Sequence, residues 1–145
     1  MSAITDLLTE ADKARVEAAI GEAELHTIGE IRIHLENWCW SDPYKHAVDV
    51  FRRLEMDKTA EHSGVLIYIA VKSHKLAIVG DEGINRVVPE HFWASVVHEL
   101  QLHFGKQQYA DGLIAAVEAC GKILAQHFPK TPDNPNELSN EISFG

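Results

Sequence analysis

Apolar side chains recur along the chain with two different spacings, and these spacings predict its secondary structure. Apolar positions three and four residues apart predict amphipathic helices, because that spacing puts them on one helical face. The predicted helices cover residues 9 to about 25, 43 to about 56, 89–105, and a stretch around 113–124 that ends before Pro129. Apolar and polar residues alternate from Ile31 to Leu35, which predicts a strand with one wetter face near a sheet edge.

Two continuous apolar runs, Val65–Val71 and Leu76–Val79, are joined by a short polar link. This pattern predicts a hairpin of two buried antiparallel strands. The strand from Ile31 reaches the strand from Val65 through one helix, which predicts a right-handed parallel crossover. The expected fold class is therefore α/β: a small mixed β-sheet, with a parallel crossover plus an antiparallel hairpin, sandwiched by helices in three layers.

The length of 145 residues is enough for one domain with its own hydrophobic core. We assign residues 1–129 to this domain. Residues 130–145 are rich in Pro, Asn, Ser and acidic side chains, which predicts an extended or disordered tail. Leu138, Ile142 and Phe144 are the side chains that could attach the tail to the domain. Its removal is expected to cost less than about 1 kcal/mol of stability.

The formal net charge is −9, and no cluster of Lys and Arg interrupts it, which argues against a nucleic-acid partner. The sequence contains neither an apolar stretch of the roughly 20 residues that span a bilayer nor a signal peptide. We therefore expect a soluble, cytoplasmic monomer. Cys39 and Cys120 are then expected to be free thiols. Trp38 and Trp40 are expected to pack beneath the loop after the first strand, with a partner-binding patch as the alternative.

The second strand of the hairpin ends abruptly at Gly80–Gly83, where two carboxylates stand between two glycines. Glycine allows a sharp turn and close approach of a ligand, and carboxylates are the oxygen ligands that Ca²⁺ and Mg²⁺ prefer. In the predicted topology, Glu30, the loop 57–63 and the segment 81–85 converge at one end of the sheet. The candidate ligands for Ca²⁺ or Mg²⁺ at that end are Asp81, Glu82, Glu30, Glu61, Asp57, Thr59 and Asn85. The alternative is that several of these side chains cap helices or face solvent.

Three segments resemble the TPM domain family and follow one another in the family's order. Gly29–His34 (GEIRIH) is similar to the family's TGEIRVH strand, Phe51–Tyr68 to its next segment, and His74–Ile84 to its third. The similarity covers about residues 9–129 and is interrupted at Ser63, where the family usually has Asn. The resemblance implies the same α/β fold and metal binding, and it implies acid phosphatase activity for some members.

Two functional hypotheses follow. In the first, the domain binds Ca²⁺ or Mg²⁺ with Asp81 as the main ligand. If it is an enzyme, it is a metal-assisted phosphomonoesterase in which another carboxylate takes the proton. No catalytic residue is assigned, and the sequence contains no phosphate-binding loop of the Walker type. In the second hypothesis, the cation orders the Asp81 loop of a non-catalytic module, which binds another protein in a membrane, envelope or repair-complex assembly.

Overall fold

The computed structural model describes residues 7–130 and 140–145. In chain order the elements are α1 (Glu10–Glu24), β1 (Glu30–Glu36), α2 (Pro43–Arg53), β2 (Gly64–Ala70), β3 (Lys75–Gly80), α3 (Glu82–Asn85), α4 (Phe92–Gly105), α5 (Tyr109–His127) and β4 (Ser143–Phe144). Two 3₁₀ turns, Met56–Lys58 and Ala60–His62, connect α2 to β2. Within the described ranges, no helix combines the length and the apolar character that crossing a membrane requires.

The four strands form one mixed sheet in the order β3-β2-β1-β4. β1 and β2 are parallel and in register from the Glu30–Gly64 pair onward, whereas β2 and β3 form the antiparallel hairpin. The predicted crossover and hairpin are therefore confirmed. β1 lies near a sheet edge, as predicted, because only the two-residue strand β4 pairs with its outer side, at His34 and Leu35.

Helices cover both faces of this sheet, which confirms the three-layer α/β/α arrangement. One face packs on α1, α4 and α5 through a large core, represented by Ile20, Ile33, Ile67, Leu100, Leu113 and Leu124. The other face packs on α2 through a smaller core, represented by Val50, Phe51, Met56, Leu66, Tyr68 and Val79. The strand alternation thus decides which side chain enters which core.

Backbone conformation moves two of the predicted helix boundaries. α2 ends at Arg53, because Glu55 adopts a left-handed conformation with φ of 58° and a 3₁₀ turn follows. α4 begins at Phe92 rather than Pro89, since His91 is also left-handed. The N-cap of α1 is as predicted, because the Thr9 side chain accepts a hydrogen bond from the Asp12 N–H at 3.0 Å.

The predicted tail lies partly outside the described residues, which omit 131–139. Residues 140–145 lie extended against the sheet, and the Gly145 N–H donates to the Leu35 carbonyl at 2.9 Å. Ile142 is buried, and its N–H donates to Glu17 Oε2 at 2.9 Å. Burying an Ile side chain contributes about 1.5–3 kcal/mol. Removal of residues 140–145 is therefore expected to cost more than the sequence alone predicts.

The loop after β1 also differs from expectation. Trp38 and Trp40 do not pack beneath it: they are 48% and 82% exposed, because the residue between them, Cys39, takes the buried position. Cys39 and Cys120 are both free thiols, as predicted. Burial raises the pKa of Cys120 to about 12, which keeps this thiol protonated and unreactive.

Candidate cation site at the acidic end of the sheet

Asp81 joins the end of β3 to the short helix α3. Its backbone N–H donates to the Gly64 carbonyl at 2.9 Å, which fixes Asp81 beside the start of β2. Its Oδ1 accepts from the Glu82 N–H at 2.8 Å, so Asp81 is the N-cap of α3. The side chain remains 16% exposed, and Oδ2 lies 3.3 Å from His62 Nδ1. Asp81 therefore connects the end of β3 with the loop that precedes β2.

The loop before β2 has an unusual backbone. Glu55, Glu61 and His62 have φ values of 58°, 55° and 52°, in the left-handed region that non-glycine residues rarely adopt. Such strain persists only where surrounding contacts enforce it, and it is concentrated at functional sites. For Glu61 and His62 the enforcing contact is α3, which packs directly on their carbonyls at Gly83.

Gly83 brings the two segments together by its lack of a side chain. A Cβ at this position would lie 2.6 Å from the His62 carbonyl oxygen and closer still to that of Glu61. The described glycines all have negative or extended φ values, so the sharp-turn reason given for the glycines was wrong. The structure shows close approach of other parts of the protein, whereas close approach of a ligand stays a prediction. Gly80 illustrates it too, since a Cβ there would lie 2.9 Å from Asn85 Oδ1.

The candidate ligands occupy different depths at this end of the sheet. Glu30 and Thr59 are buried, Asp81 is partly buried, and the others are exposed: Asp57, Glu61, Glu82 and Asn85. Within the described ranges, Thr59 Oγ1 is buried without a hydrogen-bond partner. Thr59 Oγ1 lies close to the start of β2, since a Cβ on Gly64 would be 3.5 Å from it. A buried oxygen without a donor is a feature that a cation would satisfy.

Asn85 has a structural role that the sequence did not indicate. Its Nδ2 donates to the Gly80 carbonyl at 2.7 Å, and its Oδ1 accepts from Trp93 Nε1 at 2.8 Å. These hydrogen bonds hold the C-terminal end of α3 against β3 and α4. One lone pair of Oδ1 is already engaged, so a role as cation ligand would have to use the other.

His62 belongs to this site and was missed in the sequence. Its imidazole lies between two carboxylates, with Nδ1 3.3 Å from Asp81 Oδ2 and Nε2 4.0 Å from Glu82 Oε1. The available signal was its position in the loop 57–63, which was expected to meet Asp81. In residues 7–130 and 140–145, no three His, Cys, Asp or Glu side chains are grouped closely enough to hold a metal ion. A cation at this end would therefore also need backbone oxygens or a rearranged loop.

A family model described as the TPM domain matches residues 2–123 of the chain. The chain belongs to the TPM domain family. The resemblance of the three segments is thereby confirmed. A search of curated proteins gave no significant match.

Solved structures agree with this TPM fold. The NMR structure of the BA42 protein from the psychrophilic bacterium Bizionia argentinensis is 42% identical, with a TM-score of 0.87 over 95% of each chain. Two more distant structures share the fold alone. The N-terminal domain of a P. gingivalis protein is 16% identical, with a TM-score of 0.70 over 86% of this chain and 83% of its own. The N-terminal domain of cg2496 from Corynebacterium glutamicum is 14% identical, with a TM-score of 0.61 over 83% and 76%.

A second polar cluster lies at the opposite end of the TPM sheet, around Glu36. Glu36 Oε1 lies 3.2 Å from His34 Nε2, and Oε2 lies 2.7 Å from His46 Nε2 and accepts from the Tyr68 hydroxyl. Burial lowers the pKa of His34 despite its contact with Glu36. Burial alone would raise the pKa of Glu36, but the hydrogen bonds with Tyr68 and His34 and the proximity of His46 lower it. His34 Nδ1 also lies 3.0 Å from Ser143 Oγ, which links the cluster to β4.

The cluster makes the stability of the domain depend on pH. The pKa values of His34 and Glu36 both lie below their ordinary values of 6.5 and 4.5, so the unfolded chain binds protons more readily. The free energy of unfolding should be highest above about pH 6.5 and should fall on acidification, first through His34 and then through Glu36. Urea unfolding at graded pH measures this. A His34→Gln variant should lose the first part of the dependence, and a wild-type stability that rises on acidification would contradict the assignment.

Proposed function

We propose that this TPM domain binds a divalent cation, Ca²⁺ or Mg²⁺, between the loop 57–63 and the segment 81–85. The observation that carries the proposal is the contact of Gly83 with the Glu61 and His62 carbonyls. This contact holds two acidic segments together and keeps two consecutive residues in a strained conformation. Strain of this kind is expected where the backbone is arranged for a ligand.

In this proposal Asp81 is the main ligand, because its carboxylate is partly exposed and held at the junction of the two segments. Glu61, Asp57 and Glu82 are exposed carboxylates that can approach the same cation. The remaining oxygens come from the buried Glu30 and Thr59, from Asn85, and from backbone carbonyls of the loop. Ca²⁺ tolerates mixed carboxylate and carbonyl ligands in flexible geometry, whereas Mg²⁺ demands a stricter octahedron, so the loop suits Ca²⁺ better.

We favour the non-catalytic hypothesis over phosphomonoester hydrolysis. Phosphate binding needs cationic donors that are available to the substrate. At this end, Lys58 lies 3.3 Å from Glu55, Arg86 lies 3.9 Å from Glu82, and His62 lies beside Asp81. Lys58 and Arg86 already pair with carboxylates, so a phosphate would meet a predominantly acidic surface. A cation-ordered interaction module fits this charge pattern better than an acid phosphatase does.

The proposal is tested by comparing two aspartates that have the same local role. Asp81 caps α3, and Asp42 caps α2 at the other end of the sheet by accepting from the Lys45 N–H at 2.9 Å. Asn is an equally good N-cap, so both Asp→Asn variants should fold. Calorimetric titration with Ca²⁺ should show at least a tenfold loss of affinity for Asp81→Asn, about 1.4 kcal/mol, and none for Asp42→Asn. Equal affinities in the two variants would contradict the proposal.

The finer assignments need separate tests. Turnover of a generic phosphomonoester that requires the cation and is abolished by Asp81→Asn would replace the non-catalytic hypothesis with metal-assisted hydrolysis, in which the cation polarises the phosphate. The protein partner, the cytoplasmic location and the monomeric state stay predictions.

A further inference from the structure

Two tryptophan side chains project from the end of the sheet opposite to the proposed cation site. Trp40 is 82% exposed and Trp38 is 48% exposed. Their rings stack with centroids 4.8 Å apart and planes within 11° of each other. Clustered exposed aromatic side chains are typical of interaction surfaces.

The backbone beneath these rings is firmly held. Cys39 is buried, and its backbone N–H donates a hydrogen bond to Ser73 Oγ at 2.8 Å. Lys75 Nζ donates to the Cys39 carbonyl at 3.0 Å and to the Ser41 carbonyl at 3.2 Å. The loop after β1 is thus fastened to the hairpin turn between β2 and β3. The fold displays the two rings on a rigid support, so their exposure is not a result of a loose loop.

The two segments that carry and support the tryptophans have a local charge opposite to that of the chain, and Glu36 is the acidic residue that precedes them. Segments 37–46 and 71–75 contain three lysines and a single aspartate, whereas the whole chain has a net charge of −9. Lys72 Nζ lies 5.7 Å from the centroid of the Trp38 ring, in a cation–π position. Two aromatic rings and one ammonium group therefore occupy the same surface, which we call the aromatic end and define by Trp38, Trp40 and Lys72.

We infer that the aromatic end docks on the surface of an anionic lipid bilayer. Trp rings favour the interface between hydrocarbon and water, and a lysine beside them is attracted to anionic headgroups. The proposed cation site lies at the other end of β1 and β2, so docking through the aromatic end turns the acidic end away from the negative surface. The two tryptophans project outward, which suits a planar interface better than an extended peptide that needs a groove.

Vesicle co-sedimentation tests this inference, with EDTA present so that the result does not depend on cation binding. The intact chain should bind vesicles of phosphatidylcholine with a quarter phosphatidylglycerol, and binding should weaken as salt is added. The double variant Trp38→Ala/Trp40→Ala should bind about tenfold less, because both interfacial anchors are lost. Lys72→Glu should bind anionic vesicles several-fold more weakly, whereas its binding to vesicles of phosphatidylcholine without the anionic lipid should not change. Leu102→Ala is the control, since Leu102 is 48% exposed on α4 and lies outside the aromatic end.

Three results would overturn the inference. The first is the absence of wild-type binding to anionic vesicles, with circular dichroism showing a folded protein. The second is equal binding of the wild type and the double tryptophan variant. The third is a dimer in solution that the double variant abolishes, which would assign the aromatic end to a second copy of the chain.

Discussion

Gly83→Ala is expected to destabilise the domain by about 3 kcal/mol, at the upper end of the usual cost of overpacking. The added methyl group would lie 2.6 Å from the His62 carbonyl oxygen and closer to that of Glu61. Backbone atoms cannot move aside as a flexible side chain can, so α3 and the loop before β2 must separate. Chemical unfolding measures the loss of stability. If the cation binds between these segments, the same variant should also lose its affinity for Ca²⁺.

Gly105→Ala is the matched control for this substitution. Gly105 ends α4, its φ is not positive, and a Cβ there would meet no atom within 4 Å. Alanine should therefore leave stability unchanged or raise it by up to about 1 kcal/mol, because it reduces the entropy of the unfolded chain. A Gly83→Ala protein as stable as the Gly105→Ala protein would mean that α3 does not press on the loop as described.

Glu36→Ala is expected to have a comparably large effect at the opposite end of the sheet. The substitution removes the carboxylate that accepts from the Tyr68 hydroxyl and that contacts the imidazoles of both His34 and His46. Tyr68 is fully buried and His34 nearly so, so their polar atoms would lose a partner without gaining water. The expected loss is about 3 kcal/mol, the scale for leaving buried polar groups without a partner.

Glu99→Ala is the control, because it removes a carboxylate that lies outside the Glu36 cluster. Glu99 is exposed on α4, and a substitution at such a position should change stability by less than about 0.5 kcal/mol. Thermal unfolding of both variants makes the comparison. A Glu36→Ala protein with the melting temperature of Glu99→Ala would show that the cluster contributes no net stability.

Much of the fold could be predicted from the sequence because its signals are local. The continuous apolar runs from Val65 and Leu76 identify the central hairpin, and the helical spacing identifies α1, α4 and α5. The alternating polar residues of β1 correctly predicted a position near the sheet edge, but the expected wetter face is mostly buried. His34 and Glu36 are instead polar residues that satisfy each other beneath α2 and β4. Only the tertiary structure reveals this pairing.

The candidate site could be predicted in its location but not in its details. Topology alone brings the loop 57–63 to Asp81, and the structure has Asp81 in contact with His62. The contact depends on left-handed backbone at Glu61 and His62, which no propensity predicts for these residues. The structural role of Asn85 could not be predicted either, because its hydrogen-bond partner Trp93 lies in another helix.

The central claim is that a divalent cation binds where the loop 57–63 meets the segment 81–85. Its most direct test is a titration of the ¹⁵N-labelled domain with Ca²⁺ and with Mg²⁺, followed by amide NMR spectra. If the cation binds there, saturable shifts will be concentrated in residues 57–63 and 80–86, with little change near Trp38 and Trp40. Amides of these two segments that stay unperturbed at millimolar cation would contradict it.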